Sequence, residues 1–380
     1  MSLDEKDRPF VAYLVHDLND AAVCRRLELM REEGMAVKLG GFRRQEERSA
    51  RVETFSAVDL GRTRDARLLQ RAASIGLLLM FPCSLRKLCA GAGAIVARNL
   101  EMLILAWRVR QPGQRLVYEC LDIHRLMLGC GRKSRAMRWI ERRLLSGTDL
   151  VIVSSPAFAQ DYFAQRQGRR DGVLLVENKL PHRPGQKPRS RPDRQPDGAC
   201  TIGWFGMLRC RKSLEQLAAL AAGSAGRIQV VIAGRPSPAE FADFADEVSR
   251  RPGLRYLGPY GPEDLPRLYA LVDFVWAIDY FEEGLNSAWL LPNRLYEGLA
   301  HGAVPIALRS VETGRWLHRR GVGLLVQDPL AELPVRLAAL AGGRHAALRQ
   351  AIAELPQAAL YQTRDERCAI ASAIVGCGHG

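Results

Sequence analysis

The chain has 380 residues, enough for two domains of ordinary size, and with 47% hydrophobic and 25% charged residues it is a folded polypeptide rather than a disordered or fibrous one. Its formal net charge of +14 is uneven: residues 1–180 carry 31 Lys and Arg against 21 Asp and Glu, and residues 201–380 carry 19 against 18, so an anionic partner belongs with the first half unless an Arg-rich background raises the count. No run of 18 uncharged apolar residues is present, the start MSLDEKDRPF has the wrong order for a signal peptide, and the nine Cys are scattered without a CxxC pair; neither a membrane span, nor secretion, nor a structural metal site is expected, and a reducing cytoplasm fits.

Residues 10–16 (FVAYLVH) read as a first buried strand. Asp17, Asn19 and Asp20 follow as caps for a helix over 21–33, which Gly34 ends, and 35–42 is a second strand closing on Gly40 and Gly41. This βαβ opening has no GxGxxG run. His16 and Asp17 stand at the carboxyl end of the first strand, where His16 is a candidate catalytic group and local capping is the plainer alternative. Residues 42–65 read as a surface excursion with a short strand at 51–55. In 68–92 the run from Leu77 to Phe81 and Leu85 is fringed by Arg71, Arg86 and Lys87, so it reads either as the buried helix of a Rossmann-like domain or as a membrane-interface segment.

A strand at 94–97 ends in Arg98 and Asn99, and a helix follows up to Pro112 and Gly113. The strand 116–120 carries Glu119, Asp122 and His124 at its end, and such a bunch of acidic and imidazole groups is the most reaction-like cluster of the first half. It lacks a second carboxylate pair or His group at ligand spacing, so no metal follows from it. A basic helix at 134–145, a strand at 149–154, a helix at 156–165 and a strand at 172–176 complete this half. Five Pro in residues 181–200 then mark the junction between domains.

The second half opens with a strand at 201–205, then Gly206, Arg209, Lys212 and Ser213. Gly at such a turn lets the chain pass close to a phosphate, and cations just before the helix reach its oxygens; an exposed basic cap is the alternative. Strands at 228–233 and 254–257 and helices at 239–248 and 265–270 lead to residues 271–307, read as strand, loop, helix, strand. Its polar groups gather where the helix begins, at Asn293 and Arg294, and Glu297 lies one turn in; a carboxylate there accepts two hydrogen bonds from a vicinal diol. A short helix at 311–319, an edge strand at 322–325 and an Ala- and Leu-rich helical stretch at 330–374 end the chain.

PNRLYEGLAHGAVPIA, with Pro292, Asn293, Arg294, Glu297, Gly302 and Pro305, resembles the donor-binding signature of the family 4-like glycosyltransferases of GT-B fold. EEGLNS resembles their E-G-F-G segment displaced by an insertion, with Trp289 where many members carry the first of two Glu residues; IGWFGMLRCRKSLEQL resembles their diphosphate-facing turn; and Tyr118, Glu119 and Asp122 match the segment near the transferred sugar. The resemblance implies an α/β GT-B chain of two Rossmann-like domains facing across a cleft: an acceptor domain over 1–180, a linker over 181–199, a nucleotide-sugar-binding domain over 200–355, and a helical segment at 356–380 returning to the first domain. Donor-binding residues would be Gly206, Arg209, Lys212, Asn293, Arg294 and Glu297, and catalytic ones Asp122 and Glu119, to which His16 is added by its place at the end of the first strand.

The implied reaction moves a sugar from a nucleoside diphosphate sugar to a hydroxyl of a lipid-linked or polysaccharide acceptor, with retention and without a metal cofactor. The enzyme would be cytoplasmic, with peripheral attachment to the anionic inner face of the plasma membrane. Two alternatives stand beside it. A nucleotide-sugar epimerase of the same fold would turn over donor without acceptor. A non-catalytic nucleic-acid-binding protein would account for the charge, yet no helix-turn-helix spacing, zinc pattern or aromatic-interleaved basic patch accompanies it, so nucleic acid is not expected as a partner.

Overall fold

Short apolar runs that alternate with helical ones become two parallel sheets in the computed structural model, which describes residues 9–18, 20–43, 55, 57–62, 68–181, 200–340 and 344–376. Two units result, residues 1–177 with 363–380 and residues 178–362. The first unit holds β1 (Phe10–Val15), β2 (Ala36–Arg43), β3 (Val58–Arg62), β4 (Ala94–Arg98), β5 (Arg115–Cys120), β6 (Leu150–Val153) and β7 (Val173–Leu175), in the order β3-β2-β1-β4-β5-β6-β7. The second holds β8 (Cys200–Leu208), β9 (Ile228–Pro236), β10 (Leu254–Tyr256), β11 (Phe274–Trp276), β12 (Val304–Leu308) and β13 (Leu324–Val326), in the order β10-β9-β8-β11-β12-β13.

All these pairings are parallel, and parallel sheets are covered by helices on both faces, which is why a strand such as β1 is apolar at every position rather than alternating. In each sheet the order of connections reverses once, between β1 and β4 and between β8 and β11. Ligands of such sheets bind outside the carboxyl ends of the strands at that reversal. The register, Leu14 opposite Ala97 and Phe274 opposite Ile202, therefore brings His16 beside Asn99 in one unit, and residues 206–209 beside 277–279 in the other.

Val11, Tyr13 and Val15 of β1 pack with Val23, Leu27 and Met30 of the helix Ala21–Glu32, and Ile370, Ala371 and Ile374 of the helix Arg364–Val375 join the same core. That last helix is fixed by a capping box between Thr363 and Glu366 and stops at Gly376, whose φ is +82°. Arg367 ties it to Glu33 at 3.2 Å and Glu32 at 3.5 Å. The chain thus returns to the first unit after completing the second. The second unit is centred on the fully buried Trp204, Trp276, Tyr296 and Trp316, and its ends meet where Leu180 N donates to Leu360 O at 2.8 Å and Gln362 N to Leu180 O at 2.9 Å.

Several elements differ from their reading in the sequence. The run 271–278 is a strand only over Phe274–Trp276, because Leu271 closes the preceding helix Leu265–Ala270. The stretch 330–374 breaks into helices Pro329–Ala338, Arg344–Ala353, Gln357–Leu360 and Arg364–Val375, with Pro356 and Thr363 capping the last two. Residues 68–92 form two helices, Leu68–Met80 and Cys83–Cys89, separated at Pro82. Leu85 and Leu88 are buried, but Leu77, Met80 and Phe81 are 59%, 71% and 62% exposed, so the core reading holds only for the second helix. Asn19, the strand expected at 51–55 except Phe55, and the linker beyond Pro181 lie outside the described residues.

Candidate active site

In the second unit β8 and β9 end side by side with Gly206 opposite Gly234, both at positive φ, +121° and +142°. A Cβ on Gly234 would stand 1.8 Å from the Gly206 carbonyl oxygen, so the two strand ends approach as only glycine allows. Beyond them the chain enters the helix Arg211–Ala222 through Cys210, whose sulfur accepts from Ser213 N at 3.4 Å. Ser213 is itself buried, and its hydroxyl accepts from the Trp276 indole at 3.2 Å, which gives a serine at this turn an internal use.

Arg209 meets the loop after β11. Its guanidinium lies 4.5 Å from the Phe281 ring centroid and 4.0 Å from Asp279 Oδ2. Arg294, from the helix Asn293–Ala300, approaches the same oxygen at 4.0 Å and donates to Ile278 O at 2.9 Å. Asp279 is oriented by Phe281 N at 2.9 Å and the Ser287 hydroxyl at 3.3 Å. Two guanidinium groups therefore share one carboxylate at the reversal point of the sheet. The Arg294 side chain is only 11% exposed, and its Nε is buried with no hydrogen-bond partner among the described residues, a donor that an anion would satisfy. Lys212 is more exposed, lies 4.3 Å from the Tyr280 ring centroid, and bonds both oxygens of Glu283 at 2.7 and 2.8 Å.

Glu297 follows Arg294 by one turn and is 8% exposed. The Tyr269 hydroxyl donates to its Oε2 at 3.5 Å, and the Tyr269 ring stacks on His301 with centroids 5.2 Å apart. Burial first, and then the Glu297 carboxylate, push the Tyr260 and Tyr269 phenols up, so both remain protonated donors. Half-buried Asn293 opens this helix, whose first N–H groups lack partners within it. Guanidinium groups, an N-terminal turn and a carboxylate one turn later form a set able to hold an anion at one end and a pair of hydroxyls at the other.

The first unit places its strand-end residues differently from the sequence reading. Glu119 is 0% exposed: Arg26 Nε holds Oε1 at 2.7 Å, Arg98 Nη1 holds Oε2 at 3.2 Å, and the Tyr13 hydroxyl donates to Oε2 as well. Burial works to raise its pKa, but Arg26 and Arg98 outweigh it and hold the carboxyl below the ordinary value. The catalytic role expected of Glu119 is therefore corrected: it is the charged centre of an internal ion-pair cluster and has no free face for a substrate. Tyr118 is likewise internal, with its hydroxyl on Glu141 at 2.9 Å. Asp122 is exposed beyond β5, and exposed His124 caps the short helix Arg125–Leu128 by accepting from Leu126 N at 3.2 Å.

His16 is half-buried, and its Nδ1 lies 3.2 Å from the Asn99 side-chain amide nitrogen. Asp20 caps the helix Ala21–Glu32 through Ala22 N at 2.8 Å and pairs with Arg98 Nη2 at 3.1 Å. Burial opposes its ionisation, yet Arg98 and His16 bring its pKa down to about 2. Asn99, Asp20, Arg98, Asp279 and Tyr269 were not selected as site residues from sequence. Their contacts span from 2 to 85 residues; in the sequence Asp20 reads only as a helix cap and Arg98 and Asn99 only as strand-end residues, and Asp279 and Tyr269 carry no sign.

A model of the glycosyl transferase 4-like domain matches residues 21–179. The chain is 44% identical over 328 residues to the succinoglycan biosynthesis protein ExoL of Rhizobium meliloti strain 1021, covering 83% of this chain and 81% of that one. Among solved structures it is similar to HepE of Anabaena in complex with UDP and glucose, with 17% identity, a TM-score of 0.64 and coverage of 97% and 96%. It is also similar to sucrose-phosphate synthase of Thermosynechococcus elongatus, with 15% identity, a TM-score of 0.69 and coverage of 96% and 97%.

Proposed function

This chain belongs to the family 4-like glycosyltransferases of GT-B fold, and from that premise we propose that the hydroxyl receiving the sugar lies on a lipid-linked or polysaccharide intermediate of exopolysaccharide assembly. The enzyme itself is nucleotide-sugar-dependent; the polysaccharide acceptor is supported by the role of the 44%-identical relative in succinoglycan biosynthesis. We assign donor binding to the second unit, on one observation above others, the meeting of Arg209 and Arg294 at Asp279 beside the buried Glu297. Departure of the diphosphate concentrates negative charge on its oxygens, and guanidinium groups already fixed in place stabilise that charge without reorganising. Gly206 and the turn to Arg211–Ala222 would let the backbone approach the diphosphate, with Lys212 available once it leaves Glu283. Asn293 would meet the diphosphate at its helix start and Glu297 the ribose diol. His16 and exposed Asp122 belong to the acceptor side, in the basic first unit. Retention of configuration and independence of metal are part of the same reading.

The first unit also supports docking on an anionic membrane. On the helix Arg132–Leu145 the exposed Arg132, Arg135, Trp139, Arg142 and Arg143 fall on one face, Trp139 is 65% exposed, and Glu141, the helix's acid, is buried. That face sets an aromatic side chain among cations, a combination the sequence reading found nowhere. No helix among the described residues is long and apolar enough to cross a membrane.

Arg209→Ala and Arg294→Ala test the donor assignment. Each is expected to weaken binding of the nucleoside diphosphate by roughly tenfold or more, as loss of a charge-assisted bond implies, while leaving binding of the bare nucleoside nearly unchanged. Equal losses for both ligands in calorimetry would remove the diphosphate role. Release of nucleoside diphosphate from a panel of UDP-, GDP- and TDP-sugars should require an acceptor; conversion of the donor sugar without one would favour an epimerase.

A further inference from the structure

Asn99, at the end of β4, has φ +70° and ψ +166°, a region of backbone space that is essentially glycine's. The conformation is pinned on both sides, since Asn99 N donates to Glu119 O at 2.9 Å and Leu103 N donates to Asn99 O at 3.1 Å. Asn99 is also the N-cap of the helix Leu100–Val109, where an asparagine ordinarily accepts from the first turn, yet it makes no side-chain capping bond. Its amide is spent instead on His16, with Nδ2 lying 3.2 Å from Nδ1 of the imidazole. Both residues stand at the reversal point of the first sheet, β1 beside β4. A structural cap would be better served by another conformation, and a tight turn by glycine.

We propose that Asn99 is a positioning residue for His16, holding the imidazole in the neutral tautomer that carries its proton on Nε2. An amide NH2 group only donates, so the Nδ1 it faces must offer a lone pair, and the single ring proton of neutral histidine is then on Nε2. Asp20, the nearby carboxylate, is held by Ala22 N at Oδ1, 2.8 Å, and by Arg98 at Oδ2, 3.1 Å, while the partner facing Nδ1 is the Asn99 amide. A neutral imidazole in that tautomer can donate from Nε2 to a hydroxyl or phosphoryl oxygen. The ligand side of this inference rests on the glycosyltransferase reading; the tautomer is a property of the free protein.

The test begins with 15N-histidine NMR of the full chain without ligand, the His16 signals being assigned by their loss in His16→Gln. The expected spectrum has the His16 proton on Nε2. Asn99→Gly keeps the backbone conformation at no steric cost and removes the amide, so the tautomer preference should disappear and kcat fall tenfold or more, with donor affinity unchanged and the thermal midpoint no lower. Asn99→Asp replaces the donor by an acceptor and should move the proton to Nδ1. A wild-type His16 protonated on Nδ1, or an Asn99→Gly variant with wild-type tautomer and kcat, would overturn the proposal. If no sugar nucleotide supports transfer by the wild type, the function reading falls while the spectra still decide the tautomer.

Discussion

A carboxylate as enclosed as Glu297, at 8% exposure, is retained against a desolvation cost of several kcal/mol only where something binds it. The Tyr269 hydroxyl reaches Glu297 Oε2 at 3.5 Å, and a carboxylate can accept from both hydroxyls of a vicinal diol. Glu297→Ala is therefore expected to weaken nucleoside diphosphate binding by about 1.5–3 kcal/mol, roughly 10- to 150-fold, and titration calorimetry reads this directly; unchanged affinity would dismiss the ribose role. Asp20 carries a different prediction. Its folded-state pKa of about 2 lies below the ordinary 3.8, so it contributes about 2 kcal/mol above pH 4 that is lost as pH falls through about 2. Asp20→Asn should flatten the acid limb of stability by that amount over that window; an unchanged limb would mean that Asp20 is no better ionised in the folded than in the unfolded chain. At this scale the sequence was readable in residue type and place along a strand, and blind to direction. Glu119 and Asp122 look alike in VYECLDIHR, but Glu119 turns inward to Arg26, 93 residues away, while Asp122 is exposed.

Between residues and the whole chain, the alternation of apolar strands with amphipathic helices was legible nearly throughout, because burial on both faces writes a continuous apolar run into each central strand. What escaped was the geometry of strand ends. The strand read at 228–233 stops short of Gly234, yet Gly234 lies within β9 and faces the Gly206 carbonyl across the ladder. Gly206 has only its backbone angle to protect, with no atom within 4 Å of an added Cβ. The two alanine variants therefore separate clash from strain. Gly206→Ala should lose about 1–3 kcal/mol from the backbone term alone, and Gly234→Ala should lose more, since it adds a backbone clash at 1.8 Å. Denaturant titration followed by tryptophan fluorescence would report both; equal losses would mean that β8 and β9 separate at little cost. The long Ala- and Leu-rich tail illustrates the same limit, its periodicity announcing helix while Pro329, Pro356 and the Thr363 capping box decide where three of its helices begin.

For the molecule as a whole, the uneven charge seen in composition acquires a location. The +10 of residues 1–180 includes the Arg132, Arg135, Arg142 and Arg143 face with Trp139 at its centre, while Leu77, Met80 and Phe81 are exposed on and just beyond the helix Leu68–Met80 of the same unit. Cations near an anionic bilayer contribute about 1 kcal/mol each, and an interfacial tryptophan adds apolar area at headgroup level. Vesicles containing anionic lipid should therefore retain the protein at low salt and release it as ionic strength rises and the screening length shortens to about 8 Å, whereas neutral vesicles should not bind it. Arg135→Glu with Arg142→Glu, both in the first unit whereas the assigned donor-binding residues belong to the second, should weaken co-sedimentation by at least about 30-fold, as two lost attractions imply, and leave transfer to a water-soluble acceptor analogue unchanged. Equal binding to neutral vesicles, or none to either kind, would reject membrane docking; in the latter case a soluble acceptor becomes the better reading of the same enzyme. Displacement from anionic vesicles by nucleic acid at equal charge concentration, with tighter binding to the nucleic acid itself, would instead assign this cationic face to a polynucleotide.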